Sequence, residues 1–107
     1  MPILLTNPFN PGDNNPGVTY PHAKIISQYH NSLYYYIRIE LQFGTDDGYG
    51  NWQKGSGTPD RAYEISGQDY IDIALQAPVG QETLFSGIHR ICYQFLIDKG
   101  YVAGTIV

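Results

Sequence analysis

The stretch 33–43, LYYYIRIELQF, constrains this chain more than any other. Leu33, Tyr35, Ile37, Ile39, Leu41 and Phe43 alternate with Tyr34, Tyr36, Arg38, Glu40 and Gln42. Successive side chains of an extended chain point to opposite sides, so this period of two predicts a strand with one apolar face buried. The preceding residues 23–29, AKIISQY, carry enough β-branched and aromatic side chains to pair with it. His30-Asn31-Ser32 supplies the turn, because Asn tolerates positive φ and Ser bonds to its own backbone. The expectation is a β-hairpin over 23–43, with its 33–43 apolar face committed to helices.

Those helices come later in the chain. Residues 62–66, AYEIS, read as a third strand with Tyr63 and Ile65 on one face. Ser66 then caps a helix over 67–76 by accepting from the Asp69 backbone, with Tyr70, Ile71, Ala74 and Leu75 as its apolar stripe. In residues 81–99, Leu84, Ile88, Ile91, Cys92, Phe95 and Leu96 recur at spacings of three and four, one face of a second helix. Glu82 and Lys99 complement its dipole, and Gly100 follows as a left-handed C′ residue. The apolar end 101–107 adds a strand or tail that something must cover. The predicted fold is α+β: a small antiparallel sheet built on the β-hairpin, with two helices packed on one face.

Two segments stand apart. Residues 1–21 hold five of the seven prolines, several Asn and little charge. Beyond an extended piece at 3–6, they read as an irregular arm, either packed on its own domain or ordered on a neighbouring subunit. Residues 22–107 form the single domain. Residues 44–61, with five glycines, read as a long loop or extended hairpin tip. Trp52 in its middle is either a lid over the domain's own core or an anchor at an interface.

Composition limits the partners. The net charge is −4, and the six Lys and Arg are scattered. Phosphate neutralisation needs a basic stripe, so direct nucleic-acid binding is not expected. No apolar run approaches the roughly 20 residues that span a bilayer, so no membrane is expected either. The N-terminus lacks a basic segment ahead of an apolar one, so no signal peptide is expected. A single cysteine forms no intrachain disulfide and no zinc cluster, so folding in the cytoplasm is the default.

Chemistry-bearing patterns are weak. Lys54-Gly55-Ser56-Gly57 reverses the order of a phosphate-binding loop. Asp46-Asp47-Gly48 lacks the alternation and closing Glu of a calcium loop and reads as a solvated turn. His22, His30 and His89 have no second ligand at metal spacing. Cys92 lies in an apolar stripe, where a thiol is a small hydrophobe rather than a nucleophile. The expectation is no catalytic residue, no cofactor and no enzyme. Charged residues are only 15% of the chain, against ten tyrosines, a balance that suits contact with other proteins. The interface candidates are Phe9, Tyr20, Tyr34, Tyr36, Arg38, Trp52, Tyr101 and Ile106. Tyr34 and Tyr36 share the Arg38 face, which either meets a protein or is covered by the 44–61 loop.

A Pro/Asn-rich lead, Thr19-Tyr20-Pro21-His22-Ala23-Lys24-Ile25, a hairpin, Ser66-Gly67-Gln68-Asp69-Tyr70 and a closing helix with Cys92-Tyr93-Gln94-Phe95-Leu96 follow one another. In this order the chain resembles small virion structural proteins encoded among the head and tail genes of tailed bacteriophages. The resemblance implies a non-enzymatic assembly protein, of the tail or baseplate before the head. It would be made in the host cytoplasm, reside in the virion, and bind other virion proteins and copies of itself. The alternative is a small carbohydrate- or ligand-binding module that uses Trp52, Tyr34, Tyr36, Asp46 and Asp47.

Overall fold

The structure, a computed structural model, describes residues 2–10, 19–56 and 60–107. Over these residues the fold is α+β, an antiparallel sheet of six strands with two helices. In chain order it runs β1 (Ile3–Phe9), β2 (Tyr20–Asn31), β3 (Tyr36–Asp46), β4 (Trp52–Lys54), β5 (Arg61–Ile65), α1 (Gly67–Ala74), α2 (Leu84–Asp98) and β6 (Gly104–Ile106). Across the sheet the order is β4-β3-β2-β1-β6. β5 pairs with β3 over Ile37 to Leu41, and β4 pairs with it further on, over Gly44 to Asp46.

The hairpin is β2–β3, but its turn lies further along than expected. β2 continues to Asn31, and the turn takes Ser32 to Tyr35. The Asn31 Oδ1 accepts from the backbone N–H of Leu33 (3.0 Å) and of Tyr34 (2.9 Å), which ends the ladder at that residue. Tyr35 sits at φ 57, a left-handed conformation uncommon for an aromatic residue. Leu33, Tyr34 and Tyr35 are therefore exposed turn residues, outside the strand. From Ile37 onward the alternation holds: Ile39 and Leu41 are wholly buried, Phe43 nearly so, and Arg38 is exposed.

β2 carries a bulge that the alternation gave no sign of. Ile25 pairs with Leu41, and Ser27 with Glu40, so Ile26 is an extra residue. Before the bulge, Ala23 and Ile25 lie opposite the buried Phe43 and Leu41. After it, Gln28 and His30 lie opposite Ile39 and Ile37. The insertion thus swaps the faces and brings two polar residues to the side on which Ile39 is buried.

The expected arm is largely strand. β1 pairs with β2 through Ile3 and Ala23, and with β6 through Ile3 and Ile106. Ile3 is wholly buried. Burial of Ile3 and Leu5 and the stacking of Phe9 on Phe43 (4.1 Å, 7°) hold the segment in the domain. Residues 11–18 of that arm and 57–59 of the expected loop lie outside the described residues. The rest of 44–61 is no lid: β3 runs on to Asp46 and pairs with β4, and only a short turn intervenes.

One core cluster gathers Ile3, Ala23, Ile25, Ile39, Leu41, Phe43, Ile65, Cys92, Tyr93, Leu96 and Val102. α2 supplies it with a Tyr that the apolar stripe omitted. Tyr93 is wholly buried, and its hydroxyl accepts the Ile25 backbone N–H at 2.9 Å. α2 starts later than expected, at a capping box between Thr83 and Ser86, which leaves Leu84 and Phe85 exposed in its first turn. Glu82 precedes the helix and pairs with Arg90 (2.7 Å). The helix ends in a Schellman arrangement: the Gly100 N–H donates to Ile97 O and the Tyr101 N–H to Leu96 O, with Gly100 at φ 75. α1 is shorter than expected and has no buried residue. Ser66 sits at its N-cap without a side-chain bond, and Tyr70 and Ile73 meet the core, whereas Ile71 and Leu75 are exposed. Its rotation follows from two ties, Tyr70 to His30 and Asp69 to Lys99.

Candidate functional site: an apolar groove beside an unpaired strand edge

A groove of about 520 Å³ lies where β2 meets the two helices. The chain builds it in three steps. First, the β2 bulge exposes Ile26 and turns Gln28 and His30 into the groove wall. Second, Tyr70, Ile73 and Ala74 of α1 form the facing side. Third, the capping box starts α2 so that Leu84, Phe85, Ile88 and Ile91 close the far wall. The connection from α1 to α2 borders it at Gln76 and Pro78. Pro78 is seated on Gly87 of α2, where a Cβ would come within 3.1 Å of it, so Gly at this position allows the close approach. The Val79 N–H donating to Glu82 (2.8 Å) and the Glu82–Arg90 pair hold the same connection. The Arg90 guanidinium keeps the Glu82 carboxyl below its ordinary range.

No residue lining the groove is an Asp, Glu, Lys or Arg. Its polar groups are few and specific. His30 Nε2 is hydrogen-bonded to the Tyr70 hydroxyl, which ties β2 to α1. Burial above all pushes His89 below the usual imidazole range. Gln28 Nε2 is shielded from solvent and has no hydrogen-bond partner among the described residues. An apolar concavity of this size with a few convergent polar groups is suited to binding. Leu84 is 62% and Phe85 75% exposed at its rim.

Beside the groove, the sheet leaves a gap. β1 reaches β2 only as far as the Ile3–Ala23 pair. From residue 27 to 31 the side of β2 away from β3 faces no strand among the described residues. The Tyr93 hydroxyl satisfies that edge at Ile25, and nothing comparable follows among the described residues.

The residues singled out from the sequence are dispersed. Phe9 and Phe43 stack, with the Arg61 guanidinium 5.3 and 5.0 Å from their rings. Tyr20 accepts from the Ser56 N–H (2.9 Å) within its own domain. Trp52 is half-buried on the sheet face opposite the core: its Nε1 donates to Gln42 Oε1 (3.1 Å) and Lys24 Nζ lies 5.7 Å from its ring. Tyr101 stacks on Tyr63 (5.0 Å), and Ile106 packs against the core through β6. Tyr34 does not share a strand face with Tyr36. Tyr36 and Arg38 do stay together on that face, beside Tyr29, whose ring lies 6.1 Å from that of Tyr36. The proposed sugar site does not assemble. Trp52 pairs with Asp46 at one end of β3 and Tyr36 begins the other, ten residues or roughly 33 Å away. Asp47 accepts from Asn51 and from the Tyr49 N–H within its own turn, which lowers its pKa. His22 accepts from the Asp46 N–H. Cys92 is wholly buried, and desolvation pushes its thiol up to about 11. Among the described residues, no group of three or more His, Cys, Asp or Glu is placed to hold a metal ion. No helix among them is long and apolar enough to cross a membrane.

The groove was missed because its wall depends on the bulge and on where α2 begins. The one local signal was Thr83-Leu84-Phe85-Ser86, a capping sequence that starts a helix with two apolar residues facing outward. In comparisons with known families, curated proteins and solved structures, nothing matches this chain.

Proposed function

We propose that this is a non-enzymatic assembly protein that works by binding other proteins through the groove between β2 and the helices. The observation that carries this is the exposure of Leu84, Phe85 and Ile26 around an uncharged apolar concavity. A contiguous apolar rim of this kind marks an interaction site, whereas single exposed apolar residues are ordinary. The resemblance described above makes the assembly a tailed-phage virion, with the tail or baseplate ahead of the head. The partners would be other virion proteins, met after synthesis in the host cytoplasm. The chain's ends enter this reading differently from the arm expectation: β1 and β6 pair with each other inside the domain, so the binding surface lies elsewhere.

The test is the mass in solution, by light scattering, of the chain alone and co-expressed with the products of the flanking reading frames. The assembly reading expects a complex of more than one chain in at least one case. It also expects the Leu84→Asp/Phe85→Glu double variant to lose that complex while remaining folded, since both sites lie in the first turn of α2, where a carboxylate is favourable. A monomer under every condition overturns the reading.

A further inference from the structure

We propose that the unpaired edge of β2, residues 27–31, accepts an extended, uncharged segment of a partner protein as an added strand, with alternate side chains of that segment entering the groove. The inference rests on the protein-binding reading above and names the partner's shape and chemistry. Three observations converge on it.

The first is the edge itself. A strand side without a neighbour presents N–H and C=O groups that another chain can pair with. Edges are ordinarily guarded by Lys, Pro or a bulge. Here the guards, Lys24 and the bulge at Ile26, come before the free stretch. Ser27, Gln28, Tyr29, His30 and Asn31 include no charge and no proline.

The second is the wall beyond the edge. Leu84 and Phe85 are exposed, and they line the same concavity as Gln28 and His30 of the free stretch. Side chains of an added strand alternate between the two faces of the sheet, so every second one points to this wall. The lining has no carboxylate or cation to match a charged segment. A second copy of β2 is the poorer occupant, because its residues on this side are again Gln28 and His30.

The third is Gln28 Nε2, a shielded donor with no partner among the described residues, in the wall of the groove. A buried donor left unsatisfied is costly. A turn of the Gln28 side chain toward the open groove would bring that donor to an incoming backbone carbonyl or a Ser or Thr hydroxyl.

The probe is a fluorescein-labelled peptide of about eight residues, long enough to cover the free edge. It is selected on the full chain from a synthetic library that alternates Val, Ile, Leu or Phe with Ser or Thr. Binding is read by anisotropy and by amide resonances of the protein. The expected result is a binder that shifts and protects the amides of residues 27–31. N-methylation of one alternate set of its backbone nitrogens should weaken it at least roughly tenfold, while methylation of the other set leaves it nearly unchanged. Phe85→Glu should weaken it comparably without altering the amide spectrum elsewhere. A binder that moves only α2 resonances and tolerates both methylation patterns overturns strand addition and leaves the groove a protein-binding surface. Concentration-dependent self-association that protects residues 27–31 without peptide makes a second copy the occupant and overturns the partner segment. No binding at about millimolar peptide overturns strand addition, while the groove reading stands or falls on the solution mass.

Discussion

The Tyr93 hydroxyl is the most informative atom to remove. Tyr93 is wholly buried in α2, and its oxygen accepts the Ile25 backbone N–H at 2.9 Å, just before the bulge. Tyr93→Phe keeps the ring and its packing but leaves that N–H with no acceptor. Ile25 is 3% exposed and belongs to the same core cluster as the wholly buried Cys92 and Tyr93, so water has no ready access. An unsatisfied buried donor costs about 1–3 kcal/mol, which for a domain of this size is a fall in Tm of roughly 5–15 °C. The assay is urea unfolding followed by fluorescence and circular dichroism, with a thermal scan. The urea slope should be unchanged, because the surface exposed on unfolding is the same. Amide exchange supplies the local readout: the Ile25 N–H should lose protection before its neighbours in the ladder. A variant within about 0.5 kcal/mol of the native chain, with Ile25 still protected, would refute the reasoning. The bond would then contribute no more than solvent does.

The same two buried groups set the alkaline limit. Burial pushes Cys92 from its ordinary 9.0 to about 11 and Tyr93 from 10.0 to about 12. Each holds its proton more tightly folded than unfolded, so stability should be full below pH 9 and fall between pH 9 and 12. The slope is roughly 1.4 kcal/mol per pH unit for each titrating group, and Cys92→Ala should remove the part between 9 and 11. Deleting residues 1–9 should abolish folding, as judged by loss of amide dispersion, because it removes Ile3 and the strand that joins β2 to β6. A folded truncated domain would return this segment to the status of an arm. Thr83→Ala should cost about 1 kcal/mol in urea unfolding by breaking the capping box that accepts the Ser86 N–H at 3.1 Å.

Much of the architecture was legible in the chain. Alternation over 37–43 identified the buried face of β3, because a strand's side chains switch sides at every residue whatever the rest of the molecule does. The spacing of Ile88, Ile91, Cys92 and Leu96 identified α2, and Gly100 marked its end, since the left-handed position there favours a residue without Cβ. The α+β class follows from these local periods. Tertiary structure decided what local periods do not encode. Whether residues 3–9 were an arm or a strand depended on a partner, β6, about a hundred residues away in the chain. Which face Gln28 and His30 would occupy depended on one inserted residue in a ladder, Ile26, and alternation carries no memory across a bulge. Tyr93 lies outside the apolar stripe of α2, and its burial depends on an N–H of β2 that its hydroxyl accepts. The groove and the strand edge beside it arise from those same long-range choices.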